Sequence, residues 1–377
     1  MKLKKAFLWI TSIILFLIAL IHITDSTYVY TALRYTTAGI NDRDIFEQRI
    51  IKATDGIEWN IGKDYNTKDL PDLLTVELEE LETIAFLVIQ DDSIRYEKYW
   101  NEGSINSLTS SFSMAKSIVS ILTGIALKEG KIKDIDDPVG NYLPEFTKGD
   151  KSEITVKHLL TMSSGLDWWE VYYSPVSHTT ESYYGTDLKK LINRLEVVVK
   201  PGSLHRYKSC DTQVLAFVLE SATGKSLSEY AANKLWQPIN AINDAEWSVD
   251  NPEGIEKAYC CFNSNARDFA RIGKLYLNNG IWNGQQIVPE DYVNTSIIPA
   301  SLKDKTGSLI DYYGYSWWLI DHKGKWFYAR GILGQYIMVL PEKKLIVVRL
   351  GHSRRLNKIN NHPPDVYTII DGVREIY

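Results

Sequence analysis

The sequence predicts an α+β fold, with one antiparallel sheet formed by N- and C-terminal strands, flanked by helices, and a mostly helical lobe inserted at about residues 130–300. Three observations lead there. Residues 84–90 and 94–100 are β-rich runs around Asp91-Asp92-Ser93, a hairpin signal. Residues 315–320, 326–330, 335–340 and 345–350 are short β-rich runs separated by Lys323-Gly324, the stretch 331–334 and Pro341-Glu342, the pattern of an antiparallel meander. The periodic segments between these two sets are helical.

Taken in order, the chain opens with Lys2, Lys4 and Lys5 before residues 6–23, an apolar stretch interrupted only by Thr11, Ser12 and His22. That length just spans a bilayer and exceeds the usual apolar core of a signal peptide, and no small-x-small cleavage site follows. Residues 1–24 are read as an uncleaved membrane anchor, with a cleaved signal as the alternative. The lysines stay on the cytoplasmic side, which places the rest of the chain outside, on the periplasmic side, or secreted if the segment is removed. Residues 25–80 have weak periodicity and read as a linker that packs along the catalytic unit, and residues 81–377 form that unit.

Within it, Ile118, Ile121, Leu122, Ile125 and Ala126 fall at i, i+3, i+4, i+7 and i+8, a buried helix that begins near Ser113. Residues 134–146 are a polar, Pro-bearing connection. Residues 156–162 read as a short helix capped by Gly165. Residues 168–184 hold Trp168, Trp169, Tyr172, Tyr173, Tyr183 and Tyr184, too aromatic for a plain surface loop. They divide between core and the lining of a cleft. Helical patterns follow at 211–222, 227–235 and 266–277.

Composition excludes several functions. The chain of 377 residues has 45% hydrophobic and 24% charged residues and a net charge of −5. With the three N-terminal lysines set aside, 39 basic residues face 47 acidic ones, a net of −8, so no nucleic-acid partner is expected. Three cysteines (Cys210, Cys260, Cys261) in an odd count without regular spacing argue against a disulfide framework or a zinc site. The seven histidines are scattered, so no metal and no cofactor is expected. Gly224-Lys225-Ser226 ends like a nucleotide loop, but Leu219 stands where its first Gly belongs.

Ser113 and Lys116 lie one turn apart on the predicted helix, so the amine can reach the hydroxyl and take its proton. Ser-x-x-Lys arises by chance about once in a chain of this length. Two distant pieces give it weight: Tyr207-Lys208-Ser209, and the turn Gly331-Ile332-Leu333-Gly334-Gln335 before a strand. In this order and context the three resemble the signature elements of serine β-lactamases, penicillin-binding proteins and related esterases. Phe112-Ser113-Met114-Ala115-Lys116-Ser117 and Gly334-Gln335-Tyr336-Ile337 are most similar to the 6-aminohexanoate-dimer hydrolase branch, which has class C β-lactamase architecture.

The resemblance implies a β-lactamase-like fold and a serine hydrolase for a small ester or linear amide. Ser113 is the nucleophile, Lys116 the base and Tyr207 the proton shuttle to the leaving group. The oxyanion hole is the N–H of Ser113 and that of Ile332. Lys116 must be neutral to act, which burial and neighbouring positive charge favour. Tyr172, Ser209, Trp168, Arg330 and Gly331 are candidate substrate contacts, Tyr172 through its likeness to a substrate-binding Tyr of the nylon hydrolases. Ser209 would orient the Lys116/Tyr207 pair or contact substrate, with helix capping as its bland alternative, and Tyr172 has a place in the core or a lid as its own. Where lactamases carry Lys or His, then Thr and Gly, this chain reads Ala329-Arg330-Gly331. The group that holds a lactam carboxylate is thus missing, unless Arg330 reaches in. The alternatives are a D-alanyl carboxypeptidase or β-lactamase of penicillin-binding type, and a non-catalytic membrane-tethered scaffold or sensor. Oligomeric state is not legible.

Overall fold

The computed structural model describes residues 2–377. Helix α1 (Lys2–Ile23) has no buried residue, and a four-residue joint leads to α2 (Tyr28–Tyr35). Then come β1 (Gln48–Ile51), β2 (Asn60–Ile61), α3 (Asp72–Glu80) and the hairpin β3 (Thr83–Gln90) and β4 (Ser93–Tyr99). The short β5 (Thr109–Ser110) feeds α4 (Met114–Lys128). The inserted lobe holds α5 (Val156–Leu160), α6 (His178–Tyr184), α7 (Leu188–Asn193), α8 (Ser209–Thr223) and α9 (Leu227–Ala231). It ends in β6 (Ala245–Ser248) and β7 (Phe262–Ser264), followed by α10 (Ala266–Leu277), the small hairpin β8 (Ile281–Trp282) and β9 (Gln285–Gln286), and α11 (Glu290–Ser296). The chain closes with β10 (Trp318–Asp321), β11 (Lys325–Arg330), β12 (Tyr336–Leu340), β13 (Leu345–Gly351) and α12 (Pro364–Ile376).

The main sheet runs β10-β11-β12-β13-β3-β4-β2, so the C-terminal meander joins the N-terminal hairpin through the antiparallel pair β13 and β3, as expected. Both faces are covered, and alternation along each strand divides its side chains between them. Ala329, Ile337, Val348 and Leu87 face the cluster that contains α4 and α10. Tyr328, Tyr336, Met338, Val347 and Phe86 face the cluster that contains α3 and α12. The helix that follows Ser113 therefore lies against one face of a sheet that is buried on both.

Three expectations change. The stretch 25–80 is more than a linker: α2 packs on α6, α3 on α12, and β1 pairs with β6 in a second sheet of order β1-β6-β7-β5. Gly165 does not cap α5, which ends at Leu160; its place is decided by contact, since a Cβ there would meet the Val199 carbonyl oxygen at 1.8 Å. The cysteines form no framework, yet the adjacent Cys260 and Cys261 are joined in a disulfide, a pairing that needs no distant partner; Cys210 is free and buried. Burial raises the Cys210 thiol well above its ordinary range, consistent with a small core residue.

Candidate active site

Ser113 occupies the N-cap position of α4 and points into a pocket of about 380 Å³. The residue before it, Phe112, has φ 42°, a left-handed conformation that costs a bulky residue energy and sets the sharp entry into the helix. One turn on, the Lys116 amine lies 2.9 Å from Ser113 Oγ and donates to the Tyr259 carbonyl at 2.8 Å. Lys116 is buried, and among the described residues no carboxylate pairs with it. The amine thus has one fixed acceptor and one hydroxyl within reach.

The opposite wall is the turn after β11. Gly331 has φ −105°, which any residue adopts, but a Cβ there would lie 2.3 Å from the Ser111 carbonyl oxygen and 3.2 Å from Phe112 Cβ. Gly331 is therefore needed for the strand to approach the segment that leads into Ser113, and it does not line the pocket. Ile332 and Leu333 do. Among the described residues the N–H groups of Ser113 and Ile332 have no acceptor, so both are free to receive an oxyanion. Two buried side chains hold the turn. Gln335 donates to the carbonyls of Ile332 (3.2 Å) and Gly351 (2.7 Å), and Arg349 donates to those of Leu333 and Gly334, each at 2.9 Å. Burial lowers the Arg349 pKa, and five oxygen acceptors compensate for the desolvation.

Tyr207 packs its ring 5.2 Å from Lys116 Nζ and against Tyr313 and Trp318. Its hydroxyl has no hydrogen-bond partner among the described residues, so no bond joins it to Ser113 or Lys116. The neighbouring Lys208 ties this segment to the loop after α5, donating to the Leu166 carbonyl at 2.8 Å and to Ser164 Oγ, which itself donates to Asp211.

Glu170, which the sequence reading did not single out, organises the aromatic wall. Its carboxylate accepts from Tyr172 Oη (2.7 Å), Ser209 Oγ (2.7 Å), the Ser209 N–H (2.7 Å) and Trp168 Nε1 (2.6 Å). Burial of the hydroxyl end and the Glu170 charge raise the Tyr172 phenol well above its ordinary value. Tyr172 and Ser209 line the pocket. Ser209 answers to Glu170 and not to the Lys116/Tyr207 pair.

Two other expected contacts lie elsewhere. Trp168 is buried in the core and only braces Glu170. Arg330 does not reach in: strand alternation sends it to the face opposite Ala329, where its guanidinium lies 3.1 Å over the Trp318 ring and donates to the Asn361 carbonyl at 3.0 Å. Among the described residues no group of three or more His, Cys, Asp or Glu is placed to hold a metal ion.

Comparison with known proteins agrees with this geometry. The Beta-lactamase family model matches residues 73–365. The 6-aminohexanoate-dimer hydrolase of Paenarthrobacter ureafaciens is 28% identical over 303 residues, covering 75% of each chain. A solved structure named "Putative 6-aminohexanoate-dimer hydrolase from Bacillus anthracis" superposes with a TM-score of 0.77 at 21% identity, covering 91% of this chain and 92% of that one. A family VIII carboxylesterase superposes at 0.65 with 17% identity, over 84% and 99% of the two chains.

Proposed function

The chain belongs to the β-lactamase family, and from that premise we propose that this serine hydrolase, tethered to the membrane by its N-terminal helix, cleaves a small ester or linear amide through an acyl-enzyme on Ser113. The observation that carries the reading is the buried Lys116 amine 2.9 Å from Ser113 Oγ in a pocket large enough for a small ligand. Neutral Lys116 accepts the Ser113 proton as Oγ attacks the substrate carbonyl carbon. The carbonyl oxygen takes the negative charge and receives the N–H groups of Ser113 and Ile332, each such donor contributing a few kcal/mol in the transition state. As the tetrahedral species collapses, the carbonyl–heteroatom bond breaks and the leaving atom takes the proton from Lys116, relayed by the Tyr207 hydroxyl. Water then attacks the acyl-enzyme, passing its proton back along the same groups and releasing Ser113.

Tyr207 is assigned the relay because its hydroxyl is unpartnered while its ring is held beside Lys116. Tyr172 and Ser209, locked by Glu170, are assigned to the substrate's polar edge. With Ala329 in the core and Arg330 on the far face, no cation from that strand meets a lactam carboxylate, and the cation that lines the pocket is Arg354, from the segment after β13.

The test is active-site labelling of the full chain with a fluorophosphonate and, separately, a fluorescent penicillin, beside Ser113→Ala. Fluorophosphonate labelling that disappears in Ser113→Ala, with turnover of a short ester, is the expected result. If Ser113→Ala labels and turns over like wild type, the mechanism is wrong; stable penicillin labelling moves the activity to cell-wall peptides.

A further inference from the structure

The pocket has one wall that the catalytic machinery does not require. Ala32 and Leu33 come from α2, the helix that follows the apolar N-terminal span, and Thr36 is the residue that caps its C-terminus. The helix α1 has 22 residues, about 33 Å at 1.5 Å per residue, enough to cross a hydrocarbon core of about 30 Å, and its most apolar 18-residue stretch has a mean hydropathy of 2.5. Four residues separate Ile23 from Tyr28, so the two are five Cα steps apart, a reach of at most about 18 Å. That limit comes from chain length alone and holds at any tilt of α1. The wall is itself fastened to the body: Val29 and Ala32 are buried, and the Tyr35 ring stacks on Tyr184 with centroids 6.3 Å apart. If α1 spans a bilayer, the pocket mouth cannot move away from its surface.

The most exposed large side chains of that mouth are apolar, beside the half-buried Arg354. Leu33, Tyr173 and Leu356 line the pocket and yet are 60%, 80% and 78% exposed. Just outside it, Tyr30 and Val176 are exposed as well. Tyr30, Tyr173 and the exposed Trp169 are the residue types that settle at the headgroup level of a membrane. Large apolar side chains gathered around one opening, rather than scattered singly, mark a docking surface. The chain's own tether names what docks there.

We infer that the pocket mouth rests on the bilayer surface and that the substrate is an amphiphile resident in the bilayer, whose ester or amide carbonyl passes between Leu33, Tyr173 and Leu356 to reach Ser113. This rests on the hydrolase reading above and on the uncleaved span. The acyl chain leaves the lipid phase along an apolar rim, so little of its surface crosses water on the way to the pocket. Free amphiphile from solution would use the same pocket without needing the rim.

The experiment reconstitutes the full chain in phosphatidylcholine vesicles that contain a minor share of phosphatidylglycerol. It compares 4-methylumbelliferyl butyrate, supplied in water, with 4-methylumbelliferyl palmitate held in the same vesicles. Wild type is measured beside Tyr30→Glu/Val176→Glu, which adds charge to the rim outside the pocket. The double variant is expected to keep butyrate turnover within about twofold, which also shows that it is folded, and to lose about tenfold or more of palmitate turnover. An unchanged palmitate-to-butyrate ratio overturns the inference, as does a mature chain that begins beyond Ile23. Wild type that cleaves butyrate but not palmitate overturns it while leaving the hydrolase reading intact; wild type that cleaves neither overturns both.

Discussion

Replacing Gly331 by Ala adds a single methyl group at the point where β11 passes the nucleophile. The φ of −105° is open to Ala, so backbone strain contributes nothing. The new Cβ would lie 2.3 Å from the Ser111 carbonyl oxygen, 3.0 Å from Gln335 Cβ and 3.2 Å from Phe112 Cβ. An ordinary contact of this kind is about 3.4 Å, so the strand end and the Ser111–Phe112 segment must part by about 1 Å. Neither side yields easily. Phe112 is already in a left-handed conformation, and the turn after Gly331 is held by Gln335 and Arg349. The separation falls between the two N–H groups assigned to the oxyanion, those of Ser113 and Ile332. A misplacement of about 1 Å costs on the order of 100-fold in turnover, and overpacking of this kind destabilises by about 1–3 kcal/mol. The assay is steady-state hydrolysis of a short ester beside thermal unfolding. The expected result is a kcat about 100-fold lower with KM little changed, because the pocket walls that bind the substrate remain. Turnover within twofold of wild type at an unchanged Tm would refute both the close approach and the oxyanion assignment.

Further substitutions probe the remaining parts. Glu170→Ala orphans four donors and is expected to cost about 2–4 kcal/mol by thermal or chemical denaturation and to raise KM; Glu170→Gln, whose amide oxygen can face Trp168 Nε1 and the Ser209 N–H while its NH2 meets the two hydroxyls, should keep the wild-type Tm. Arg330→Met should leave the KM for short esters within about twofold and lower Tm, since the guanidinium packs on Trp318 and bonds Asn361 away from the pocket; a KM rise of tenfold would place it in the substrate site after all. The partly buried acid Glu220 is pushed up to about 8 by desolvation and by the neighbouring Glu256 carboxylate. Its folded pKa therefore exceeds its unfolded one, so the full stability is present below about pH 4.5 and is lost as pH rises toward 8, by at most about 5 kcal/mol. Denaturation from pH 4.5 to 9 should show that fall in wild type and a flatter profile in Glu220→Gln; parallel profiles would exclude the pair as its source.

The parts of the fold that sequence patterning made visible are those with a local signal. Helix α4 has thirteen buried positions in a row and a nucleophile at its cap, and the strands of the main sheet are bounded by turn residues, so each announces itself within its own length. The second sheet does not. Its strands have two to four residues, too short to show a period, and β1 finds its partner β6 almost two hundred residues away. Helix α12 had a readable signal in Val366, Ile369, Ile370 and Val373 after Pro363-Pro364, a buried stripe that backs the sheet from the side opposite α4. Among the site residues, Ser113 and Lys116 could be paired because one helical turn joins them. Glu170 could not, because its four partners come from Trp168, Tyr172 and Ser209 and meet only when the lobe closes.

Arg330 shows where strand parity outweighs residue chemistry. A cation one position from the expected one suggests itself as a replacement, but neighbouring strand residues point to opposite faces, and the registers Ala329 with Ile337 and Arg330 with Tyr336 assign those faces without ambiguity. Ala329 looks toward α4, and Arg330 looks toward Trp318 and α12. A one-residue change of register would exchange them, yet it would also bury Arg330 against α4 and turn Ala329 outward along with every other side chain of β11, which the apolar clusters on both faces forbid. Selectivity in this pocket therefore falls to segments outside the sheet, the Glu170-braced aromatic wall and α2. The second of these follows the apolar N-terminal helix after four residues of chain, so in the reading proposed above what enters the pocket and where the protein resides are set by the same stretch of sequence.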